Sequence, residues 1–545
     1  MKRGVLFTLG LLICAALATV ALAQVSSQQL LNTDKEPQNW LMYSGNYNGH
    51  RYSLLDQITS ENANQLELKW VFQANSLQKM EASPLVVNGV MYATQPPNDV
   101  VALDAKTGRV FWIYQYHPAA VQLCCGQVNR GLAILGDTLY MGTIDAHLEA
   151  INAKNGHLLW DVQVADESTY SITEAPLIVK DKIVVGAAGG EEGIRGFIAA
   201  YSPENGDLIW KFNTVPGPGE PGNNTWPGDT WKHGGGSSWM TGSYDPALNM
   251  VFWGTGNPYP DLAPELRKGD NLYTASAIAL DADTGKLKWY FQFTPNDGND
   301  WDSMQVPVLA EMPWNGKPRD VIYWANRNGF FYVLDRATGK FLRGNAFVKE
   351  TWASGLDANG RPIRSDESRA TVAGTKVYPG TQGGTNWYSP SYSPHTKLFY
   401  VSAWEDYFNV MTKSSPLGFS PGGRGQGFPR SPLPSVTRGQ IDTWTEQYGH
   451  GEVKAIDPQT GEEKWAFKMN DVSDSGILTT ASDVLFTANR EGYFLVLDAR
   501  NGKLLWRATL GAQISSAPVT YSVDGKQYVA ISAGHALFVF GLREN

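Results

Sequence analysis

Apolar and polar residues alternate with a period of two in short runs along most of the chain, and one phrase keeps returning. It reads as an apolar strand, Ala-x-Asp, a turn ending in Gly, and a second strand closing on Trp. Copies run from Ala102-Leu103-Asp104 to Gly108 and Trp112, from Ala150-Ile151-Asn152 to Gly156 and Trp160, and from Ala200-Tyr201-Ser202 to Gly206 and Trp210. Others run from Ala279-Leu280-Asp281 to Gly285 and Trp289, from Ala455-Ile456-Asp457 to Gly461 and Trp465, and from Leu497-Asp498 to Gly502 and Trp506. Leu334-Asp335 to Gly339 and Leu342 lacks the Trp, and Leu66-Glu67-Leu68-Lys69-Trp70 keeps only the second half. Period two predicts half-buried strands, and the polar turn with Gly predicts a β-hairpin. The Asp or Asn bonds the turn backbone and Gly supplies the positive φ. The Trp is expected to pack between neighbouring sheets.

Eight copies spaced by roughly 40 to 50 residues predict an all-β chain: an eight-bladed β-propeller of four-stranded antiparallel sheets with tryptophan-docking repeats. Radial closure makes 24–545 one domain. Two intervals are longer, Trp210 to Trp289 and Leu342 to Trp465. Insertions of this kind fall in loops on one face, where binding concentrates. Ser414 to Pro434, rich in Gly, Pro and Ser, reads as an irregular surface loop.

The N-terminus alters the picture of where this fold works. Lys2 and Arg3 precede an apolar run from Val5 to Val20, and Ala21-Leu22-Ala23 offers a small-x-small cleavage site, so residues 1–23 read as a secretory signal peptide. Cys14 follows Ile13, which disfavours lipid attachment. No later stretch is apolar for the roughly 18 residues a membrane span needs, so a soluble exported protein is expected. Losing Lys2 and Arg3 takes the formal net charge from −9 to −11. That balance disfavours nucleic acid and anionic lipid, and suits solubility, a basic protein partner or a cationic ligand. The 19 Trp, 24 Tyr and 56 Gly fit a β-rich protein with many tight turns.

Past the leader the only cysteines are adjacent, Cys124 and Cys125. Bonded to each other they close a ring too small to staple distant segments, so stability is not its purpose. Two buried thiols, or a pair that forms a dimer, are the alternatives.

The repeat with its Trp, the cysteine doublet and several loop motifs together resemble the quinoprotein alcohol dehydrogenases, the methanol and ethanol dehydrogenase family that uses pyrroloquinoline quinone (PQQ). The resemblance runs from about Trp40 to the C-terminus. It implies that Cys124 and Cys125 form a vicinal disulfide on one face of PQQ, with Trp239, after Gly234-Gly235-Gly236-Ser237-Ser238, on the other. Arg130, Thr173 and Ser237 match donors to the cofactor's rim, Gly189 and Gly190 match backbone donors, Arg327 matches the arginine near the reactive carbonyls, and Asn386 and Trp387 match an edge contact. Glu191 and Asn257 match the family's protein ligands to a metal ion, all-oxygen ligands as a hard cation requires.

Aligned without a gap from Thr294-Pro295, Asp300 falls on the family's catalytic aspartate, and Asp302 two residues on resembles the second metal aspartate of the lanthanide-dependent branch. An alignment with a shift would instead make Asp302 the base, with Ca²⁺ as the alternative ion. Without the resemblance, Asp297, Asp300 and Asp302 read as a solvated acidic loop. In an extended segment residues i and i+2 point the same way, which would let Asp300 and Asp302 address one ion. Glu81 matches a glutamate near substrate and cofactor.

Two positions depart from the pattern: Ala188 replaces a serine that bonds the cofactor, and Asp474 stands where an aromatic contact is common. The implied activity is oxidation of primary alcohols to aldehydes, Asp300 taking the hydroxyl proton as hydride passes to the quinone. No Cys-x-x-Cys-His occurs in the sequence, so a separate periplasmic cytochrome c is the expected electron acceptor. A PQQ-dependent sugar or polyol dehydrogenase and a non-enzymatic envelope scaffold are the competing readings. The oligomeric state, a homodimer included, stays open.

Overall fold

The computed structural model describes residues 25–119, 125–369, 371, 374–411 and 449–544. The leader, Cys124 and the Ser414–Pro434 stretch lie outside the described residues. Eight blades of four antiparallel strands make a propeller, one of them, at 478–509, extended by a short parallel strand at Tyr52–Ser53. In chain order, blades 1 to 5 span residues 85–114, 133–163, 177–213, 243–292 and 308–346. Blades 6 and 7 span 391–469 and 478–509. Blade 8 joins the C-terminal strands from Val519 to Leu542 to Leu66–Gln73 from near the N-terminus. This explains the half-phrase at Trp70: its first half lies at the other end of the chain. Pairing the two ends closes the ring.

Each repeat forms the outer hairpin of its blade, with Ala opposite Trp across the strands: Ala102 with Trp112, Ala150 with Trp160, Ala279 with Trp289. Asp104 accepts the turn N–H groups of Lys106 and Thr107 at 2.9 and 3.1 Å. The indoles then dock forward from blade to blade. Trp70 donates to Ala105 O, Trp112 to Ala153 O, Trp160 to Pro203 O, Trp210 to Ala282 O, Trp289 to Arg336 O and Trp465 to Ala499 O, all at 3.1–3.3 Å. The turn glycine of the receiving blade makes room: a Cβ on Gly285 would lie 2.5 Å from the Trp210 ring. Blade 5, which lacks the Trp, uses Arg343 Nη1 to Thr460 O at 2.6 Å instead.

The chain between Gln38 and Ser53 runs along the inner strands of seven blades. It bonds Val86, Ile178, Tyr244, Leu309, Tyr392, Thr479 and Ser522 in turn. Arg51, fully buried, donates to Tyr43 O and Pro518 O at 2.7 and 2.6 Å. Backbone groups of the inner strands that would otherwise be orphaned are satisfied there. Among the described residues no helix is long and apolar enough to cross a membrane.

Candidate functional site

In an antiparallel four-stranded blade, the connection between strands two and three leaves the same end as the connection onward to the next blade. The candidate residues occupy these two kinds of connection. Glu81, Thr173, Trp239, Trp387 and Asp474 each stand four positions ahead of their blade's first strand, which begins at Leu85, Leu177, Ser243, Ser391 and Leu478. Arg130 stands three positions ahead of Ala133, and Asp300 and Asp302 precede Val308. Glu191, Asn257 and Arg327 lie between the second and third strands of blades 3, 4 and 5. Repetition therefore gathers residues distant in sequence around one end of the propeller axis.

They surround a cavity with about 990 Å³ of empty space, its open mouth included. Glu81, Cys125, Arg130, Thr173, Gly189, Glu191, Trp239, Asp300, Asp302, Arg327, Asn386 and Trp387 all line it. Gly190, Ser237 and Asn257 do not. They form the layer behind the wall, where a Cβ on Gly190 would lie 3.0 Å from both Asn257 Oδ1 and Ser237 Oγ.

One side of the cavity is cationic and aromatic. The Arg130 guanidinium lies over the Trp239 and Trp387 rings, 5.0 and 4.6 Å from their centroids. It donates to Glu81 Oε2 at 3.0 Å and Thr173 Oγ1 at 3.2 Å. Glu81 is held from its other oxygen by Lys79 at 2.8 Å. Asn386 donates to Gln382 O at 3.1 Å, so Gln382 is fixed at the rim. Cys125 is exposed. That sets aside two buried thiols for this residue, and its pairing with Cys124 lies outside the described residues.

The opposite side is acidic. Asp302 is 2 % exposed and both its oxygens are engaged: Oδ1 by the Asn257 N–H, Oδ2 by Trp239 Nε1 at 3.1 Å and Arg327 Nη1 at 2.9 Å. Asp300 meets Arg327 Nη2 through Oδ2 at 3.3 Å, while its Oδ1 is buried and accepts no hydrogen bond. Burial lifts the Asp300 carboxyl well above the usual carboxylate range, with Arg327 opposing and Asp302 adding to the rise. Burial chiefly, with the Asp302 charge adding, raises the Glu191 carboxyl above the usual carboxylate range. Burial disfavours the charge on Arg327, but Asp300 and Asp302 outweigh it and hold the guanidinium protonated.

The extended geometry expected for Asp300 and Asp302 is not how they come together. Asp300 has φ +62°, in the left-handed region, and no strand runs through it. Both carboxylates reach Arg327 because this turn swings the chain back toward the cavity. Nor is the acidic loop solvated: Asp297 and Asp302 are buried.

The donor chemistry fits the implied groups. Three carboxyl groups, Glu191, Asp300 and Asp302, face one guanidinium across a partly buried wall, and a cation placed among them would lower the raised pKa values of Asp300 and Glu191 and let all three ionise. Asn257 Oδ1, fully buried and without a partner, and Asp300 Oδ1 are spare oxygen ligands. Among the described residues no three His, Cys, Asp or Glu side chains converge tightly enough to hold an ion unaided. An ion held here would need ligands beyond these side chains. Trp239 and the Arg130–Thr173 pair suit a flat polycarboxylate.

Ala188 lines the cavity and pairs with Ser171 through both backbone groups. Asp474 does not line it. That carboxylate is buried and accepts from Gln513 Nε2 at 2.8 Å. Sequence reading passed over Thr169, Ser171 and Gln382, which also line the cavity. The signal was available, because Thr169 and Ser171 lie on the same inter-blade connection as Thr173.

Residues 40–345 match the family described as Glucose/ethanol/alcohol dehydrogenase, beta-propeller domain, and 449–539 match the family described as Outer membrane protein assembly factor BamB. The chain is 39 % identical to quinoprotein alcohol dehydrogenase PedH of Pseudomonas putida, over 98 % of its own length and 92 % of that protein's. Among solved structures it is similar to the quinohemoprotein alcohol dehydrogenase of Comamonas testosteroni (TM-score 0.87, 32 % identity, 96 % of this chain and 84 % of that one). A europium-containing methanol dehydrogenase gives TM-score 0.85 and 31 % identity over 94 % of this chain and all of that one. Blade repeat, cavity and relatives agree: the chain belongs to the PQQ-dependent quinoprotein alcohol dehydrogenases.

Proposed function

We propose that this chain oxidises primary alcohols to aldehydes in the periplasm and passes the electrons to a cytochrome c. The observation that carries the reading is Asp300: a carboxylate on the cavity wall, one oxygen paired to Arg327, the other accepting no hydrogen bond, in a loop opposite Arg130 and Trp387. When bound, PQQ accepts the hydride and the metal ion polarises the carbonyl that receives it.

The chain's own residues do the rest. Asp300 takes the alcohol's hydroxyl proton as general base. Arg327, held by Thr381 O at 2.6 Å, keeps Asp300 oriented and would offer positive charge to the oxygens of a bound quinone. Trp239 and a Cys124–Cys125 disulfide would hold PQQ between them, and Arg130, Thr173, Ser237, Gly189, Gly190, Asn386 and Trp387 would bind its rim. Glu81 fixes Arg130. Asp302 is the weaker candidate for the base, since both its oxygens already accept hydrogen bonds.

Glu191, Asn257, Asp300 and Asp302 are proposed as the protein ligands of a lanthanide ion rather than Ca²⁺. Three carboxylates on one wall, and the likeness to a europium-containing enzyme, support the trivalent choice. The leader ending near Ala23 supports export. A homodimer is supported by the apolar Phe111, Leu159 and Ile209, each more than 40 % exposed on the outer strands of three successive blades. Sedimentation of purified protein tests it.

The test of function is dye-linked oxidation of an alcohol panel against a sugar and polyol panel, with Asp300→Asn beside the wild type. Turnover of alcohols that Asp300→Asn abolishes is expected. Turnover of sugars alone would replace the substrate class, and no turnover would favour the scaffold.

A further inference from the structure

The loop that carries Asp300 is clamped from outside by residues that never reach the cavity. Three successive carbonyls ahead of it face guanidinium groups. Arg364 Nη2 donates to Pro295 O at 2.7 Å and to Asn296 O at 2.9 Å. Arg267, fully buried, reaches Asp297 O as well as Pro260 O and Asp261 O, the last two at 2.9 Å. The N–H groups on either side of Asp300 fold onto a single carboxylate: Asp297 accepts from Asn299 N at 3.0 Å and from Trp301 N at 2.7 Å. Trp301 is anchored in turn by its indole N–H to Gly380 O at 2.9 Å and by the Trp352 ring, 4.7 Å between centroids.

Between these anchors Asp300 adopts φ +62°, a left-handed conformation that Asp tolerates better than most residues with a Cβ but that these contacts fix in place. Arg364 comes from the hairpin Ala353–Leu356 and Pro362–Arg364, part of the long insertion between blades 5 and 6. That insertion is therefore put to use behind the cavity wall.

We propose that Arg364 and Asp297 are positioning residues that hold Asp300 in its left-handed conformation and so set the base against the substrate. The proposal rests on Asp300 being the base. Arg364 is exposed and touches the core only where its guanidinium lies 6.0 Å from the Trp352 ring centroid, so its replacement is expected to leave the blades folded. A displacement of about 1 Å at a reacting group costs up to about a hundredfold in rate.

In the holoenzyme, Arg364→Gln is expected to lower kcat by about tenfold, with KM, PQQ content and melting temperature as in the wild type. Arg364→Lys, whose single ammonium can bridge the two carbonyls, is expected to recover part of the loss. Asp297→Asn, which keeps one acceptor and places an NH₂ against the other N–H, is expected to lower kcat further. Without cofactor, hydrogen exchange of the 295–302 backbone should quicken in Arg364→Gln while the blades stay protected. Wild-type kcat together with wild-type exchange in Arg364→Gln would overturn the proposal, as would a loss of kcat that only follows lost PQQ. Asp300→Asn measured alongside separates the layers: full activity there removes the base itself, whereas an inactive Asp300→Asn beside a silent Arg364→Gln removes only the clamp.

Discussion

Gly256→Ala puts one methyl group into the layer behind the acidic wall. Its Cβ would stand 2.5 Å from Ser237 Oγ and 2.6 Å from Asp302 Oδ1. Ordinary contact needs about 3.5 Å, so each gap must open by about 1 Å. The backbone at Gly256 is not left-handed, so the cost is steric alone. Ser237 is 1 % exposed, and Asp302 is tied to Asn257, Trp239 and Arg327. Neither can retreat into solvent, and relief must displace Asp302 or the Asn257 segment. Overpacking of this size costs about 1–3 kcal/mol of stability.

The larger effect should fall on cofactor retention, because the displaced groups are those proposed to hold the ion. The assay is titration of metal-depleted protein with PQQ and La³⁺, followed by quenching of indole fluorescence, with melting curves run in parallel. Gly136→Ala is the control: it too is glycine in the native fold, at φ +62°, but its Cβ would meet nothing within 4 Å. Gly136→Ala should destabilise slightly and bind as the wild type does, whereas Gly256→Ala should bind at least tenfold more weakly. Equal binding by both variants would refute the claim that Ser237, Asn257 and Asp302 form a rigid cradle.

The docking of blade on blade predicts that Gly285→Ala, which drives a Cβ into the Trp210 ring, costs about 1–3 kcal/mol more in urea denaturation than Gly316→Ala, where nothing lies within 4 Å. Combining it with Trp210→Ala should erase the difference. Glu149, buried beside Tyr114, Asp161 and Asp145, has its carboxyl pushed up to about 8, chiefly by burial. The folded chain then holds a proton that the unfolded chain releases, so wild-type stability should fall by several kcal/mol as pH rises from about 4.5 to about 8. Glu149→Gln should flatten that part of the stability curve in urea titrations at stepped pH, and an unchanged slope would show that Glu149 ionises normally.

The propeller was legible because each blade announces itself locally. Asp104 and its counterparts sit in turns whose bonding depends only on near neighbours, and each Trp follows its Ala at nearly fixed distance. The closure through Leu66–Gln73 was less visible, since the partner strand lies at the far end of the chain. Site residues were legible through resemblance to a family, and the repeat explains why they converge. Periodicity misled at Asp300, where the turn is imposed by Arg364 and Arg267 from segments about 64 and 33 residues away in sequence, which no local pattern reveals. Thr169, Ser171 and Gln382 escaped because small polar residues on a connection look like any other loop.

The most direct test of the whole account is reconstitution of metal-depleted protein with PQQ and either La³⁺ or Ca²⁺, followed by dye-linked oxidation of ethanol. The account predicts turnover with La³⁺ and little with Ca²⁺. Turnover with Ca²⁺ alone would contradict the trivalent ion at Glu191, Asn257, Asp300 and Asp302, and silence with both ions across alcohols and sugars would contradict the proposed activity itself.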